Sequence, residues 1–299
     1  MIKPNTFLIG VQKSATTSVY NWIAQHPEIC APVSLKYIPF FVEDSLYNKG
    51  AQFLHKTYKK YYKNQKIILQ GNVNYIFFKK GIERIYEFDK NAKFILILRN
   101  PVERAISSYF FAKKRGIESR NITLAFDNEK DIFDGNNLHD ICELTYKTHG
   151  LYAQQLKIFL RYFSIEQVCI LLFDEIKEAP ENQLKKIFNF LEVDDSFNPK
   201  LNYLNKAGVS RSKWIYKILY DKENNIKKFL NKYIADKFFS FDFKIRVKLF
   251  LGKILSKESK EAKNDVPEAL IKKLNHFFEK DILELEKIID KDLSTWKNK

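Results

Sequence analysis

Four short runs of the chain are almost continuous in β-forming apolar residues: FLIGV at 7–11, IILQ at 67–70, KFILIL at 93–98 and VCILLF at 168–173. A strand that alternates apolar and polar residues keeps one wet face. One without alternation is covered on both faces, as in the parallel sheets of α/β proteins. Between these runs the apolar spacing becomes helical: VYNWIAQH follows the first, Pro101 to Lys114 follows the third, and LYAQQLKIFLRYF precedes the fourth. Parallel strands need long crossovers, and helices supply them. The pattern predicts an α/β fold of three layers, a central and mostly parallel sheet flanked by helices.

The stretch from Gly116 to Asn137, rich in Asp, Asn and Glu, breaks the periodicity and reads as a loop excursion. Residues 213–257 are dense in Lys and aromatics. KWIYKILY and FKIRVKLFLGKIL within them read as amphipathic helices that pack on the main body and leave a basic face in solvent. Contact of that face with a membrane surface or an acidic glycan is the other reading. After the linker KESKEAKND, Pro267 starts a regular helical pattern that ends near Trp296.

A chain of 299 residues is near the upper limit for one hydrophobic core, so a single domain over residues 1–299 is expected, with the basic helical subregion inside it. The excess of 51 Lys+Arg over 36 Asp+Glu, a net charge of +15, attracts anions: nucleotides, acidic glycans, nucleic acid or an anionic membrane face. No nucleic-acid recognition motif accompanies the charge, so nucleic acid is not an expected partner. Cys30, Cys142 and Cys169 form no CxxC pair, which suggests neither a disulfide framework nor a zinc site. No metal is expected. No apolar run approaches the roughly 20 residues of a membrane helix, and Phe7 to Val11 is too short for a signal-peptide core. A cytoplasmic protein is expected.

The strongest local signal is the run FLIGV, then Gln12-Lys13-Ser14-Ala15-Thr16-Thr17-Ser18, then a helix. A strand-to-helix turn of small and hydroxylated residues leaves backbone N–H groups free at a helix N-terminus, where the dipole favours an anion. Lys13 adds charge there and the hydroxyls add donors. A Walker A loop, G-x-x-x-x-G-K-[ST], is absent, because here the Lys precedes the small residues. The sequence GVQKSATTS resembles the 5′-phosphosulfate loop of the sulfotransferases that use 3′-phosphoadenosine 5′-phosphosulfate (PAPS). A second segment, KFILILRNPVERAISSYFF at 93–111, resembles that family's 3′-phosphate motif, with Arg99 and Ser107 at its two key positions. HGLYAQQLKIFLRYF and the C-terminal VPEALIKKLNHFFEKDILELEKIIDKDLSTW extend the resemblance over nearly the whole chain, close to the carbohydrate branch with its heparan-type and bacterial members.

The resemblance implies a P-loop-like fold and sulfuryl transfer from PAPS to a hydroxyl or amine, with a glycan as the expected acceptor. It implies nucleotide contacts from Lys13, Ser14, Ala15, Thr16, Thr17, Ser18, Arg99 and Ser107, and from Lys206 and Arg211 in a basic loop over the nucleotide. Lys13 and Lys36 take the catalytic places, and Tyr37, Asn72 and Tyr75 those of acceptor-binding residues. The chain departs from the family in two segments. Where the carbohydrate branch carries Lys-Glu before His-Phe-Phe, this chain reads Lys36-Tyr37-Ile38-Pro39-Phe40-Phe41, with Tyr37 in place of the Glu taken as general base. Where the family has Glu-x-Ser-Pro-x-Tyr, the chain has Gln70-Gly71-Asn72-Val73-Asn74-Tyr75. Glu43, Asp44, His55 and His149 are the other candidate bases; His26, before Pro27, reads as a helix-ending residue. Two alternatives stay open. One is a P-loop-type kinase or ATPase using Asp174-Glu175 after VCILLF; the other is a sulfotransferase fold that has lost its base and only binds nucleotide or glycan.

Overall fold

The computed structural model describes residues 1–129, 132, 137–202, 208–210, 256–258 and 266–297. The chain divides into two compact units. One comprises Met1–Arg104, Leu151–Asn205 and Phe278–Lys299; the other comprises Ala105–Gly150 and Lys206–Phe277.

The first unit is built on a five-stranded parallel sheet in the order β2-β3-β1-β4-β5. Its strands are β1 (Thr6–Gly10), β2 (Ile29–Cys30), β3 (Ile67–Gly71), β4 (Lys93–Leu98) and β5 (Val168–Leu172). All four apolar runs are strands, each within a residue of its expected ends. Two-residue β2 is too short to leave a pattern. Every residue of β1 and β3 is buried, as strands covered on both faces require. β1 lies between β3 and β4, with Leu8 opposite Gly71 on one side and Ile95 on the other. From β1 the chain passes to the edge at β2, comes back to β3 beside β1, and then crosses to β4 on the other side. Such a reversal leaves a crevice beyond the carboxyl ends of the central strands, where ligands of open α/β sheets bind.

The helices of this unit are α1 (Thr16–Ile23), α2 (Asp44–Tyr47), α3 (Gly50–Lys59) and α4 (Lys79–Phe88). α5 (Pro101–Lys114) leaves β4, and after α6 (Ile122–Asp127) and α7 (Leu138–Leu144) of the second unit come α8 (Tyr152–Phe159), α9 (Phe173–Glu178) and α10 (Pro180–Leu191). On one face of the sheet, Leu8, Ile95 and Ile97 pack with Val19, Tyr20, Trp22 and Ile23 of α1 and Leu184, Ile187 and Phe188 of α10. On the other face the rings are the filler: Phe7 meets Phe41 and Phe94, and Phe94 meets Phe159 of α8 and Phe163. The last helix, α11 (Glu268–Ile289), ends in this unit. Its Asp281 carboxylate accepts the N–H groups of Ala153 and Gln154, a cap for the first turn of α8 supplied from a distant helix. Beyond it, the Trp296 carbonyl accepts the Asn100 side-chain amide, whose own oxygen caps α5 at Val102 and Glu103.

The second unit holds the rest of α5, α6 (Ile122–Asp127) and α7 (Leu138–Leu144), with an antiparallel pair of β6 (Gly208–Ser210) and β7 (Ser256–Glu258). Tyr109, Phe126 and Tyr146 form its aromatic core. The stretch 116–137 is not all loop, as its composition suggests. Asn121 caps α6 through its side-chain oxygen, and Ile122, Ala125 and Phe126 bury one short face. The basic helices expected at 213–257 lie outside the described residues, apart from the β7 backbone.

Gly10, the last residue of β1, has no room for a side chain: a Cβ there would stand 2.7 Å from Ile76 Cγ2 and 3.3 Å from Leu96 Cδ1. Gly10→Ala should therefore overpack the junction between the sheet and the following turn and destabilise the fold by about 1–3 kcal/mol. Urea unfolding measures this, and an unchanged midpoint would show that Ile76 yields at no cost.

Candidate functional site

The turn that leaves β1 is held in a form that ordinary side chains adopt at some cost. Lys13 and Ala15 both have left-handed backbone, with φ of 67° and 57°. Ala15 occupies the N-cap of α1 and makes no side-chain cap hydrogen bond to the first-turn amides. Those amides and the helix dipole form a positive end suited to an anion. The Ser14 hydroxyl is buried without a hydrogen-bond partner. Gln12 fixes the turn from one side by donating to Asn74 Oδ1 at 2.7 Å.

Lys36 approaches the same helix end from the segment after a single 3₁₀ turn at Val33–Leu35. It is only 1% exposed. Its Nζ donates to Thr17 Oγ1 at 2.8 Å and lies 5.8 Å and 5.0 Å from the ring centres of Tyr20 and Tyr37. No carboxylate among the described residues pairs with it, and burial holds its amine well below the usual lysine range. Gly71, at the end of β3, makes room for its stem: a Cβ there would stand 3.1 Å from Lys36 Cγ and from the Tyr20 ring. Tyr37 is 40% exposed, and its hydroxyl is 3.1 Å from Thr17 Oγ1. The Thr17 hydroxyl is thus shared by Lys36 and Tyr37.

Arg99 stands at the carboxyl end of β4, beside β1. Its Nη1 donates to the Lys13 carbonyl at 3.0 Å, its Nε and Nη2 donate to one oxygen of Glu103 at 3.3 Å and 3.0 Å, and its plane lies 4.5 Å from the centre of Phe173. Its own carbonyl accepts the buried Tyr152 hydroxyl at 2.9 Å. The loop and the strand-end Arg, read separately from sequence, are therefore joined by a hydrogen bond. Glu103 went unread, although its place four residues after Arg99 across a helix start is a known pairing distance.

The other expected site residues are placed as follows. Thr16 and Ser18 lie buried in the first turn of α1. Ser107 lies within α5 and is partly exposed. Asn72 uses its side-chain oxygen to accept the Asn74 N–H, and Tyr75 is fully buried, its hydroxyl donating to the Ile38 carbonyl and accepting from Gln70. Tyr75 thus supports the fold beneath the segment that carries Lys36 and Tyr37 and presents nothing at the surface. Lys206 and Arg211 lie outside the described residues. Of the candidate bases, Glu43 accepts from Ser45, Asp44 is paired with Lys80 and Arg84, His55 accepts the Ile2 N–H, and His149 is buried against Thr145 in the second unit. His26 follows α1, accepting the Glu28 N–H at Nδ1 while Nε2 meets the Asp194 carbonyl, a structural role. Asp174 and Glu175 follow β5, which β4 separates from β1, and Glu175 pairs with Lys291. They do not meet the loop. Among the described residues no group of His, Cys, Asp and Glu could hold a metal ion.

A turn suited to an anion at the topological switch point of a parallel α/β sheet lies where open α/β proteins bind their ligands. The family model for the sulfotransferase domain matches residues 3–293, and the chain belongs to that family. It is similar to heparan sulfate glucosamine 3-O-sulfotransferase 5 of Homo sapiens, at 29% identity over 68% of this chain and 57% of that protein. It is also similar to the membrane-associated sulfotransferase kil1 of Dictyostelium discoideum, at 26% identity over 75% of this chain and 64% of that one. The chain thus spans little more than half the length of its heparan-type relatives. In fold it is similar to a sulfotransferase from Alicyclobacillus acidocaldarius, with a TM-score of 0.69 over the whole of both chains at 21% identity.

A lysine whose folded pKa is depressed binds fewer protons folded than unfolded, so it costs stability at neutral pH and the cost fades as pH rises toward the usual lysine value of about 10.4. Lys36→Met, which keeps the length of the stem, should stabilise the ligand-free protein by about 1–3 kcal/mol at pH 7. The gain should shrink as the pH rises. Urea midpoints of both proteins from pH 6 to 10 give the answer, and a pH-independent difference would mean that the amine is not desolvated.

Proposed function

We propose that the protein is a PAPS-dependent sulfotransferase acting on a hydroxyl or amine of a glycan, with the turn at residues 12–18 as its donor site. The observation that carries this reading is the convergence of Lys36, buried without a carboxylate partner, on Thr17 at the start of α1. The same turn is gripped from the β4 end by Arg99. A buried amine with only a hydroxyl and π-faces around it seeks an anion. The donor set fits a sulfated nucleotide: Lys13, the hydroxyls of Ser14, Thr16, Thr17 and Ser18, the first amides of α1, and Arg99, which forks onto phosphates.

Sulfuryl transfer breaks the bond between sulfur and the bridging phosphate oxygen and makes one to the acceptor. Like phosphoryl transfer, it needs positioning and stabilisation of the charge that develops on the leaving oxygen. Lys13 supplies that charge, Lys36 adds to it as it takes up a proton, and Arg99 supplies selectivity for a 3′-phosphate. The glycan acceptor rests on the heparan-type relatives, and residence in the cytoplasm on the wide spacing of Cys30, Cys142 and Cys169, which form no CxxC pair. No described helix is long and apolar enough to cross a membrane. The whole chain, under this proposal, works as one sulfotransferase domain.

Calorimetry should show adenosine 3′,5′-bisphosphate binding at least about tenfold more tightly than ATP with Mg²⁺, the equivalent of one added charge-assisted contact. Label from PAPS should pass to a member of a glycan panel. Equal affinity, or a preference for ATP, would favour a kinase instead.

Glu103 competes with any phosphate for Arg99. Glu103→Gln should therefore raise the affinity for adenosine 3′,5′-bisphosphate severalfold and leave that for adenosine 5′-phosphate nearly unchanged. Equal gains for both would show that Arg99 does not meet the 3′-phosphate.

A further inference from the structure

Three side chains of the site form a continuous chain of hydrogen-bonding atoms with one end open and one end buried. The open end is Tyr37, the middle is Thr17, and the buried end is Lys36. The links are 3.1 Å and 2.8 Å, and the two hydroxyls can each donate and accept. We propose that Tyr37, Thr17 and Lys36 act as a proton wire that takes the proton of the acceptor hydroxyl or amine at the Tyr37 phenol and delivers it to the Lys36 amine. The proposal rests on the sulfuryl-transfer reading above.

The transfer balances. The acceptor's O–H or N–H bond breaks and its electron pair forms the bond to sulfur, while the bond from sulfur to the bridging phosphate oxygen breaks with its pair on that oxygen. The acceptor's proton goes to Tyr37 Oη, the phenol's own proton to Thr17 Oγ1, and the threonine's proton to Lys36 Nζ, which becomes an ammonium. In the ligand-free protein Lys36 donates to Thr17. Once the ammonium has lost a proton its lone pair can accept, so that before transfer each hydroxyl points inward toward the neutral amine. Afterwards Lys36 again donates to Thr17, Thr17 to Tyr37, and Tyr37 outward. No oxidant or reductant is needed.

The surroundings favour this direction. Tyr37 is reached from solvent at one side of its hydroxyl and stands 3.1 Å from Thr17 Oγ1 at the other, so a proton taken from the acceptor can be matched by one passed inward. Burial pushes the Lys36 amine down, which makes a neutral amine accessible as the terminal acceptor. The groups facing Lys36 are Thr17, the rings of Tyr20 and Tyr37, and the Gly71 backbone beneath its stem; Cys30 lies behind Tyr20. No carboxylate among the described residues is paired with it. Tyr20 does not compete for the proton, because its hydroxyl lies against the Pro32 and Leu69 carbonyls and burial holds its pKa well above the usual range.

The test compares wild type and Tyr37→Phe with labelled PAPS and desulfated heparan sulfate, across pH 5 to 10, with adenosine 3′,5′-bisphosphate calorimetry on both. The wire predicts that wild-type turnover rises with pH as Lys36 becomes neutral. Tyr37→Phe should lose about 10²-fold in turnover together with that rising limb, and keep its nucleotide affinity within about twofold. Carbon NMR of the Lys36 side chain in the nucleotide-free protein gives a readout that needs no acceptor: the amine should titrate below the usual lysine range, with a midpoint that moves in Tyr37→Phe. Wild-type turnover and pH profile in Tyr37→Phe, or an ordinary lysine titration of Lys36, would overturn the wire alone. Failure of the wild type to bind adenosine 3′,5′-bisphosphate would overturn the sulfuryl-transfer reading and the wire with it.

Discussion

The hydrogen bond from Arg99 to the Lys13 carbonyl joins the ends of the two central strands, and the candidate site takes its shape from that junction. β1 and β4 run parallel and side by side, so their carboxyl ends leave the sheet at the same edge. The turn after β1 is strained at Lys13 and Ala15, and a strained turn persists only where its surroundings hold it. Arg99 holds it on the β4 side and Gln12 ties it to the turn after β3. Arg99 is itself fixed by Glu103, by the face of Phe173 and by the Tyr152 hydroxyl on its carbonyl. An arginine so placed serves the backbone as well as any ligand, and its loss would be felt by both.

Lys36 carries the opposite economy. The sheet edge at Gly71 is left bare so that its stem can cross, and two tyrosine rings cover it. Burying an ammonium without a carboxylate partner is costly, and folds retain such groups where a ligand or a reaction uses them. Under the proposed function, the anionic sulfate donor gives that cost a use.

The sheet was legible because its strands are covered on both faces, and a fully apolar run has no other comfortable place. β2 was not, since two residues make no pattern, and α6 was hidden because its signal is a cap and three apolar residues inside a polar stretch. At the site, the turn and Arg99 could be read from residue type and order alone. The partners that decide their behaviour are contacts between distant segments: Thr17 with Lys36, Gln12 with Asn74, Arg99 with the Lys13 carbonyl. Tyr75 shows the converse. A motif position marked it for the acceptor, yet its hydroxyl is spent on the Ile38 carbonyl inside the core. Sequence order places a residue on its strand or turn, whereas burial decides what its polar atoms can reach.

The corner that presents Arg99 is closed from far along the chain. Asn100, which caps α5, is held by the Trp296 carbonyl at a separation of 196 residues, and α8, whose Tyr152 braces Arg99, is capped by Asp281. Contacts of such span form late, because the entropy of the long loop is lost before they give anything back. On the ribosome, β1, β4 and the turn between sheet and helix are made early, but the corner stays unbraced until residues 281–296 have emerged. A nascent chain would therefore hold a nearly complete sheet long before it held a finished corner, and synthesis itself would delay the candidate site.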